Sequence, residues 1–91
     1  MRVLTVCGAG VGTSLMEKMF AEDILSGAGV DAQVDNADIS SATPNDYDVV
    51  ITTSMFAEML PATSAQVIIH DNIMDQTSLK QKLLAALAQE D

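Results

Sequence analysis

The fold is decided by residues 3–14, VLTVCGAGVGTS, near the start of a chain of 91 residues. The first four of these residues form a short, apolar and mostly β-branched run, which is typical of a buried strand. Glycines follow at once, and from Ser14 onward apolar residues recur with helical spacing. The stretch therefore predicts a strand, a glycine-rich loop and a helix, which is how many α/β domains begin.

The first helix is predicted to start at Ser14, because Ser14 and Glu17 have the spacing of a capping box. Its apolar stripe, expected to face a sheet, contains Leu15, Met16, Met19, Phe20, Ile24 and Leu25. Glu17 is assigned to the polar side of this helix. Gly27 or Gly29 supplies a stop signal.

The remaining elements continue the alternation. Strands are predicted at residues 30–34, 49–51 and 67–69, and residues 35–46 are a polar connection with one helical turn. A short helix capped by Ser54 is expected to run to Leu60. Ser78 opens a last helix whose apolar seam is Leu79, Leu83, Leu84 and Leu87.

Buried strands separated by helices predict a parallel sheet covered on both faces. The length of 91 residues predicts a single domain over residues 1–91. In such sheets, ligands bind beyond the carboxyl ends of the strands. This rule brings three loops to one edge, at residues 7–14, 52–54 and 70–75.

Composition excludes several classes of function. The chain has 4 Lys and Arg against 13 Asp and Glu, a formal net charge of −9, so binding to a nucleic-acid backbone or an anionic membrane surface is disfavoured. One cysteine excludes an internal disulfide, and one cysteine with one histidine disfavours a zinc site. No apolar run is long enough for a membrane span or an export signal, which predicts a cytoplasmic protein. No cofactor is predicted.

The loop after the first strand has the chemistry of an anion cradle. Its glycines allow backbone N–H groups to converge, and the following helix adds the positive end of its dipole. The hydroxyls of Thr13 and Ser14 are further donors. The same field favours the thiolate of Cys7, and because Cys7 stands where strand gives way to loop, we expect a nucleophile rather than an inert buried thiol.

Three better-known loops do not match. The glycine spacing is one residue short of the dinucleotide-binding pattern, and no Gly-Lys-Ser/Thr follows for a nucleotide P-loop. In low-molecular-weight tyrosine phosphatases an arginine follows the cysteine after five residues, and Thr13 occupies that position here. Without that guanidinium, efficient hydrolysis of phosphate esters is disfavoured.

The loop CGAGVGTS, the strand and loop DVVITTS at 48–54 and the order of elements together resemble the IIB components of the bacterial phosphotransferase system. The likeness is greatest to the ascorbate and galactitol branch of the wider lactose and cellobiose group, and it covers essentially the whole chain. It implies a three-layer sandwich on a four-stranded parallel sheet, with a Rossmann-like topology similar to that of low-molecular-weight phosphatases.

The resemblance also implies a function. Cys7 would accept a phosphoryl group from a phosphohistidine on a cognate IIA protein and pass it to a sugar or polyol in a membrane IIC component. Its phosphate loop would consist of Gly8, Ala9, Gly10, Val11, Gly12, Thr13 and Ser14. A carrier needs no base to activate water, so the missing arginine suits it. The alternative is a non-catalytic regulatory domain of the same family that senses phosphorylation.

Other side chains have two interpretations each. Thr53 and Ser54 either line a second loop of the site or only cap a helix, and Asp71 either assists as an acid or caps the next turn. His70 either takes part in proton transfer or is a polar residue ending a strand. Met16 and Met19 are expected to fill the core. Met55, Phe56 and Met59 are candidates for a docking surface.

Overall fold

The computed structural model describes residues 1–7, 11–72 and 74–89, and of these the side chains of residues 7, 11–14 and 89 are outside the description. Strands and helices alternate along the chain. The strands are β1 (Arg2–Cys7), β2 (Gln33–Asp38), β3 (Val49–Thr52) and β4 (Gln66–Ile69). The helices are α1 (Val11–Gly27), α2 (Ser54–Ala57) and α3 (Gln76–Gln89), with a 3-10 turn at Pro44–Asp46.

The four strands form one parallel sheet in the order β2-β1-β3-β4. This confirms the predicted fold class. Strand β1 is central, and its last residue, Cys7, is in register with Asp38 at the end of β2. All four carboxyl ends therefore meet at one edge, which is where the site was expected.

Helices α1 and α3 cover one face of the sheet. The apolar residues buried on this side are Val3, Ala21, Leu25, Val34, Val49, Ile51, Ile68, Leu79, Leu83 and Ala86. On the other face, Leu4, Val6 and Val50 form a smaller core with partly buried residues from β2 and from the connections that follow β2 and α2. Because α2 is only one turn long, Val67 and Ile69 of β4 stay 40% and 38% exposed.

The second strand lies further along the chain than predicted. Residues 28–30 complete the end of α1: Val30 N–H donates to the carbonyl of Leu25 at 2.9 Å, and Gly29 has φ of +75°. Such a left-handed residue after a helix favours glycine. The chain therefore enters the sheet only at Gln33, and the polar residues from Asp35 to Asp38 belong to the strand rather than to a connection.

The apolar stripe predicted for α1 is confirmed for Phe20, Ile24 and Leu25, which belong to or pack against the core, but it is wrong for the start of the helix. The helix begins at Val11, so Ser14 lies within its first turn and is not the capping residue. Leu15, Met16 and Met19 are 49%, 42% and 55% exposed, whereas Glu17 is only 6% exposed. Among the described side chains of α1, the buried ones are spaced by four, at Glu17, Ala21 and Leu25.

The other two helices need smaller corrections. Thr53, not Ser54, caps α2, which ends at Ala57 rather than Leu60. Helix α3 begins at Gln76, ahead of the predicted Ser78, and the carboxylate of Asp75 accepts the Ser78 N–H at 3.1 Å. Ala86 is buried on the α3 seam while Leu84 is 38% exposed. In the described part of the chain, no helix is long and apolar enough to cross a bilayer.

Candidate functional site

The carboxyl edge of the sheet positions the predicted nucleophile. Cys7 is the last residue of β1, and α1 begins at Val11. Of the predicted phosphate loop, Gly8, Ala9 and Gly10 lie outside the described residues, and the backbone of Val11, Gly12, Thr13 and Ser14 forms the first turn of α1. The long axis of this 17-residue helix therefore starts at the edge where Cys7 ends its strand.

Backbone and hydroxyl hydrogen bonds join the ends of the central strands. The Thr52 hydroxyl, buried at the end of β3, donates to the carbonyl of Val6 at 3.2 Å. The N–H of His70 donates to the carbonyl of Thr52 at 2.8 Å. The residue just before Cys7 is thus connected through Thr52 to the first residue after β4.

The second and third predicted loops contact each other. Asp71 Oδ1 accepts hydrogen bonds from the N–H of Ser54 at 2.9 Å and from its hydroxyl at 3.1 Å. The Thr53 hydroxyl instead accepts the N–H of Phe56 at 3.4 Å. In the turn that follows, Asn72 accepts the Met74 N–H, and the prediction that Asp71 caps this turn stays a prediction. Asp71 serves to hold the loop after β4 against the start of α2.

His70 is buried and both of its ring nitrogens have partners. Nδ1 lies 2.5 Å from Oε1 of Glu17, and Nε2 lies 2.9 Å from the carbonyl oxygen of Asp75. The side chains of His70 and Glu17 are 2% and 8% exposed. Neither earlier interpretation of His70 anticipated this arrangement, in which it connects α1 to the segment between β4 and α3.

The pKa values of two carboxyl groups near this edge, Glu17 and Asp38, are shifted in opposite directions. Burial raises the pKa of Glu17 above its ordinary value of 4.5, although the hydrogen bond and charge of His70 oppose that rise. Hydrogen bonds from the side chains of Ser40 and Ser41 lower the pKa of the exposed Asp38 below its ordinary 3.8. The Asp38 carboxylate accepts the Ser40 hydroxyl at 2.6 Å and the Ser41 hydroxyl at 3.1 Å.

Glu17 was predicted to lie on the solvent side of α1 because charged side chains are usually exposed. The spacing of Glu17 with Ala21 and Leu25 was the available signal, since residues four apart share a helix face. His70 offered no signal for its partner, which is 53 positions away.

The start of a helix next to the carboxyl edge of the sheet is compatible with binding of an anion. Among the described residues there is no group of three or more His, Cys, Asp or Glu side chains that could hold a metal ion. Helix α1 begins at Val11, soon after Cys7 ends β1, so the positive end of its dipole and the free N–H groups of its first turn lie close to that edge. Met55 and Met59, two of the three predicted docking residues, are 68% and 59% exposed, and their role in docking stays a prediction.

Comparison with known proteins gives consistent results. The family model described as "PTS system, Lactose/Cellobiose specific IIB subunit" matches residues 2–85. The chain is 27% identical over 90 residues to an "Ascorbate-specific PTS system EIIB component" of Mycoplasma pneumoniae, covering 96% of this chain and 95% of that protein.

Among solved structures, the chain is similar to the lactose-specific IIB component domain of the phosphoenolpyruvate:carbohydrate phosphotransferase system from Streptococcus pneumoniae. The TM-score is 0.57 at 20% identity, and the match covers 97% of this chain and 91% of that one. At this level of identity the match concerns the fold alone.

Proposed function

The chain belongs to the lactose/cellobiose-specific IIB family of the phosphotransferase system, and on that premise we propose that Cys7 carries the phosphoryl group. One observation supports this choice of residue above the others. Cys7 ends the central strand β1, and α1 begins at Val11 on the same edge. The positive end of a helix stabilises both a thiolate and a bound phosphoryl group.

The proposed reaction has two displacements at phosphorus. In the first, the Cys7 thiolate attacks the phosphohistidine of a IIA protein, an S–P bond forms, and the P–N electron pair returns to the imidazole. In the second, a hydroxyl oxygen of the solute attacks, the S–P bond breaks, and Cys7 leaves as thiolate. The solute's hydroxyl proton goes to a base on the membrane IIC component or to solvent.

The solute is proposed from the named relative. Because the Mycoplasma pneumoniae protein is called ascorbate-specific, we expect ascorbate or a galactitol-like polyol rather than lactose to receive the phosphoryl group. Both partners, the IIA donor and the IIC acceptor, are part of this proposal. So is a cytoplasmic location, where the Cys7 thiol stays reduced.

The test is the intact mass of the protein after incubation with phosphoenolpyruvate, the general carrier proteins and the cognate IIA. We expect wild type to gain one phosphoryl group, mapped by peptide digestion to Cys7, and Cys7→Ser to gain none. Ser26→Ala is the control, because it also removes one hydroxyl but lies exposed in the last turn of α1, at the other end of the helix from the proposed site. If the wild type gains nothing while the IIA protein is phosphorylated, the proposal is wrong.

Transfer onward tests the choice of solute. Membranes containing the cognate IIC component are mixed with the phosphorylated protein and with ascorbate, galactitol or lactose. Loss of the phosphoryl group from the protein is then followed by mass. Lactose as the only effective acceptor would contradict the proposed solute and leave the role of Cys7 intact.

A further inference from the structure

The buried pair of Glu17 and His70 is not used by the proposed chemistry. Glu17 lies in the second turn of α1, whose first turn adjoins the site, and His70 is the first residue after β4. Their side chains meet at 2.5 Å and are 8% and 2% exposed. Burial of two ionisable groups is costly unless they pair with each other and with further partners, so the pair calls for an explanation.

The contacts of His70 specify how many protons the pair holds. A backbone carbonyl can only accept, so Nε2, at 2.9 Å from the Asp75 oxygen, must carry a hydrogen. Nδ1 and the Glu17 oxygen then need one proton between them, because a lone pair facing a carboxylate would be repulsive. Whether that proton resides on nitrogen or on oxygen, the pair as a whole has no net charge.

A continuous series of hydrogen bonds runs from this pair to the residue before Cys7. Glu17 contacts the ring of His70, the His70 N–H donates to the Thr52 carbonyl, and the Thr52 hydroxyl donates to the Val6 carbonyl. Val6 lies in β1, which enters the predicted phosphate loop, and Glu17 lies in α1, which leaves it. The series therefore connects the two sides between which that loop runs.

We propose that Glu17 and His70 are positioning residues, and that their shared proton joins α1 to the edge of the sheet at the separation that phosphoryl transfer requires. The inference rests on the proposed function of Cys7. A neutral pair also places no net negative charge behind a site that receives a phosphoryl group. Loss of His70 would leave the Glu17 carboxylate there without its partner, so both geometry and charge would be altered.

The first experiment compares single-turnover rates of phosphoryl uptake by Cys7 from the phosphorylated IIA protein. Glu17→Ala should be slower by about tenfold or more, since small displacements of a reacting group have effects of that size. Glu17→Gln should stay within about threefold of wild type, because its amide N–H can donate to a neutral His70 whose Nε2–H is unchanged. Glu22→Ala, an exposed glutamate in the same helix, should have no effect.

A destabilised control separates positioning from general loss of stability. Leu25→Ala removes a buried side chain from the same helix but keeps the pair intact. All variants are assayed in the absence of urea, after urea titration has shown how far each is destabilised. If Glu17→Ala and Leu25→Ala are slowed equally at equal loss of stability, or if Glu17→Gln is as slow as Glu17→Ala, the positioning role is wrong.

A double-mutant cycle tests the connection to β1. Thr52→Val removes the hydroxyl that reaches Val6 while nearly preserving side-chain shape. If the series of hydrogen bonds acts as a unit, Thr52→Val should slow uptake severalfold in wild type and have little further effect in Glu17→Ala. If the two substitutions slow uptake by independent factors, so that the double variant shows their product, the proposed connection is wrong.

Nitrogen-15 NMR of the His70 ring reads the pair without any phosphoryl donor. We expect Nε2 to carry a hydrogen, and a downfield proton resonance on the Nδ1–Glu17 contact that disappears in Glu17→Ala. A ring with its only hydrogen on Nδ1 would overturn the inference by itself. Failure of the wild type to gain a phosphoryl group would overturn the proposed function, and the positioning role with it. Normal uptake by Glu17→Ala would overturn the positioning role alone.

Discussion

Helices α1 and α3 cover the same face of the sheet but do so with different side chains. The described side chains that helix α3 buries there are all apolar: Leu79, Leu83 and Ala86. Helix α1 buries Ala21 and Leu25 in its second half, whereas its first half buries Glu17 and exposes three large apolar side chains, Leu15, Met16 and Met19. The two halves of α1 are therefore unlike each other, and only the second half resembles α3.

The difference separates a helix that stabilises the fold from one that also serves a site. The buried side of α3 follows the usual amphipathic pattern, which maximises apolar burial. The first half of α1 departs from this pattern next to the edge where Cys7 ends β1. Departures from the pattern are expected where a sequence must satisfy function as well as stability.

The largest expected effect comes from separating the buried pair. His70→Leu leaves the Glu17 carboxyl buried without a partner, which should lower the free energy of unfolding by about 3–5 kcal/mol. The double variant Glu17→Leu with His70→Leu should recover most of that loss, since apolar side chains replace both groups. Urea denaturation measures both. If His70→Leu lowers the free energy of unfolding by less than about 1 kcal/mol, the buried pair does not contribute to the stability of the fold as expected.

Helix α3 should respond to loss of apolar volume. Leu83→Ala is expected to lower the free energy of unfolding by about 3 kcal/mol, because Leu83 is 1% exposed and a cavity would remain. Leu84→Ala is the matched control at the neighbouring position, 38% exposed, and should lose under about 1 kcal/mol. Equal losses in urea denaturation would contradict the assignment of the buried seam.

The exposed apolar side chains of α1 should contribute little to stability. Met19 is 55% exposed, so Met19→Gln is expected to change the free energy of unfolding by less than about 0.5 kcal/mol. Leu25→Ala, two turns further along, should cost several times more because Leu25 is 1% exposed. Comparison of the two by thermal or urea unfolding shows whether the helix has the orientation described. If Met19→Gln lowers the free energy of unfolding more than Leu25→Ala does, the described orientation of the helix is wrong.

The smallest effect concerns Asp38, an exposed carboxylate to compare with the buried Glu17. Hydrogen bonds from Ser40 and Ser41 lower its pKa below 3.8, so its contribution to stability is present above that pH and lost as pH falls through the lowered value. Asp38→Asn keeps an accepting oxygen but does not titrate. We expect unfolding at pH 2–4 to depend slightly less on pH in this variant, and an unchanged profile would contradict the prediction.

The sequence by itself determined the architecture of the sheet. Short β-branched runs at Val3, Val49 and Val67 predict strands because they suit burial on both faces, and the alternation with helices predicts parallel pairing. The loop after β1 identified the edge that carries Cys7. These features are local in the chain, and a pattern read along a few residues is sufficient to detect them.

Only the tertiary structure decided the start of β2 and the face that α1 turns to the sheet. The strand was misplaced because a polar edge strand has no apolar run, and its register depends on pairing with β1. On α1, the buried Glu17 meets a partner, His70, that lies 53 positions away. A glutamate is compatible with a buried helix face only where another part of the chain supplies its partner, and that partner is brought near by folding.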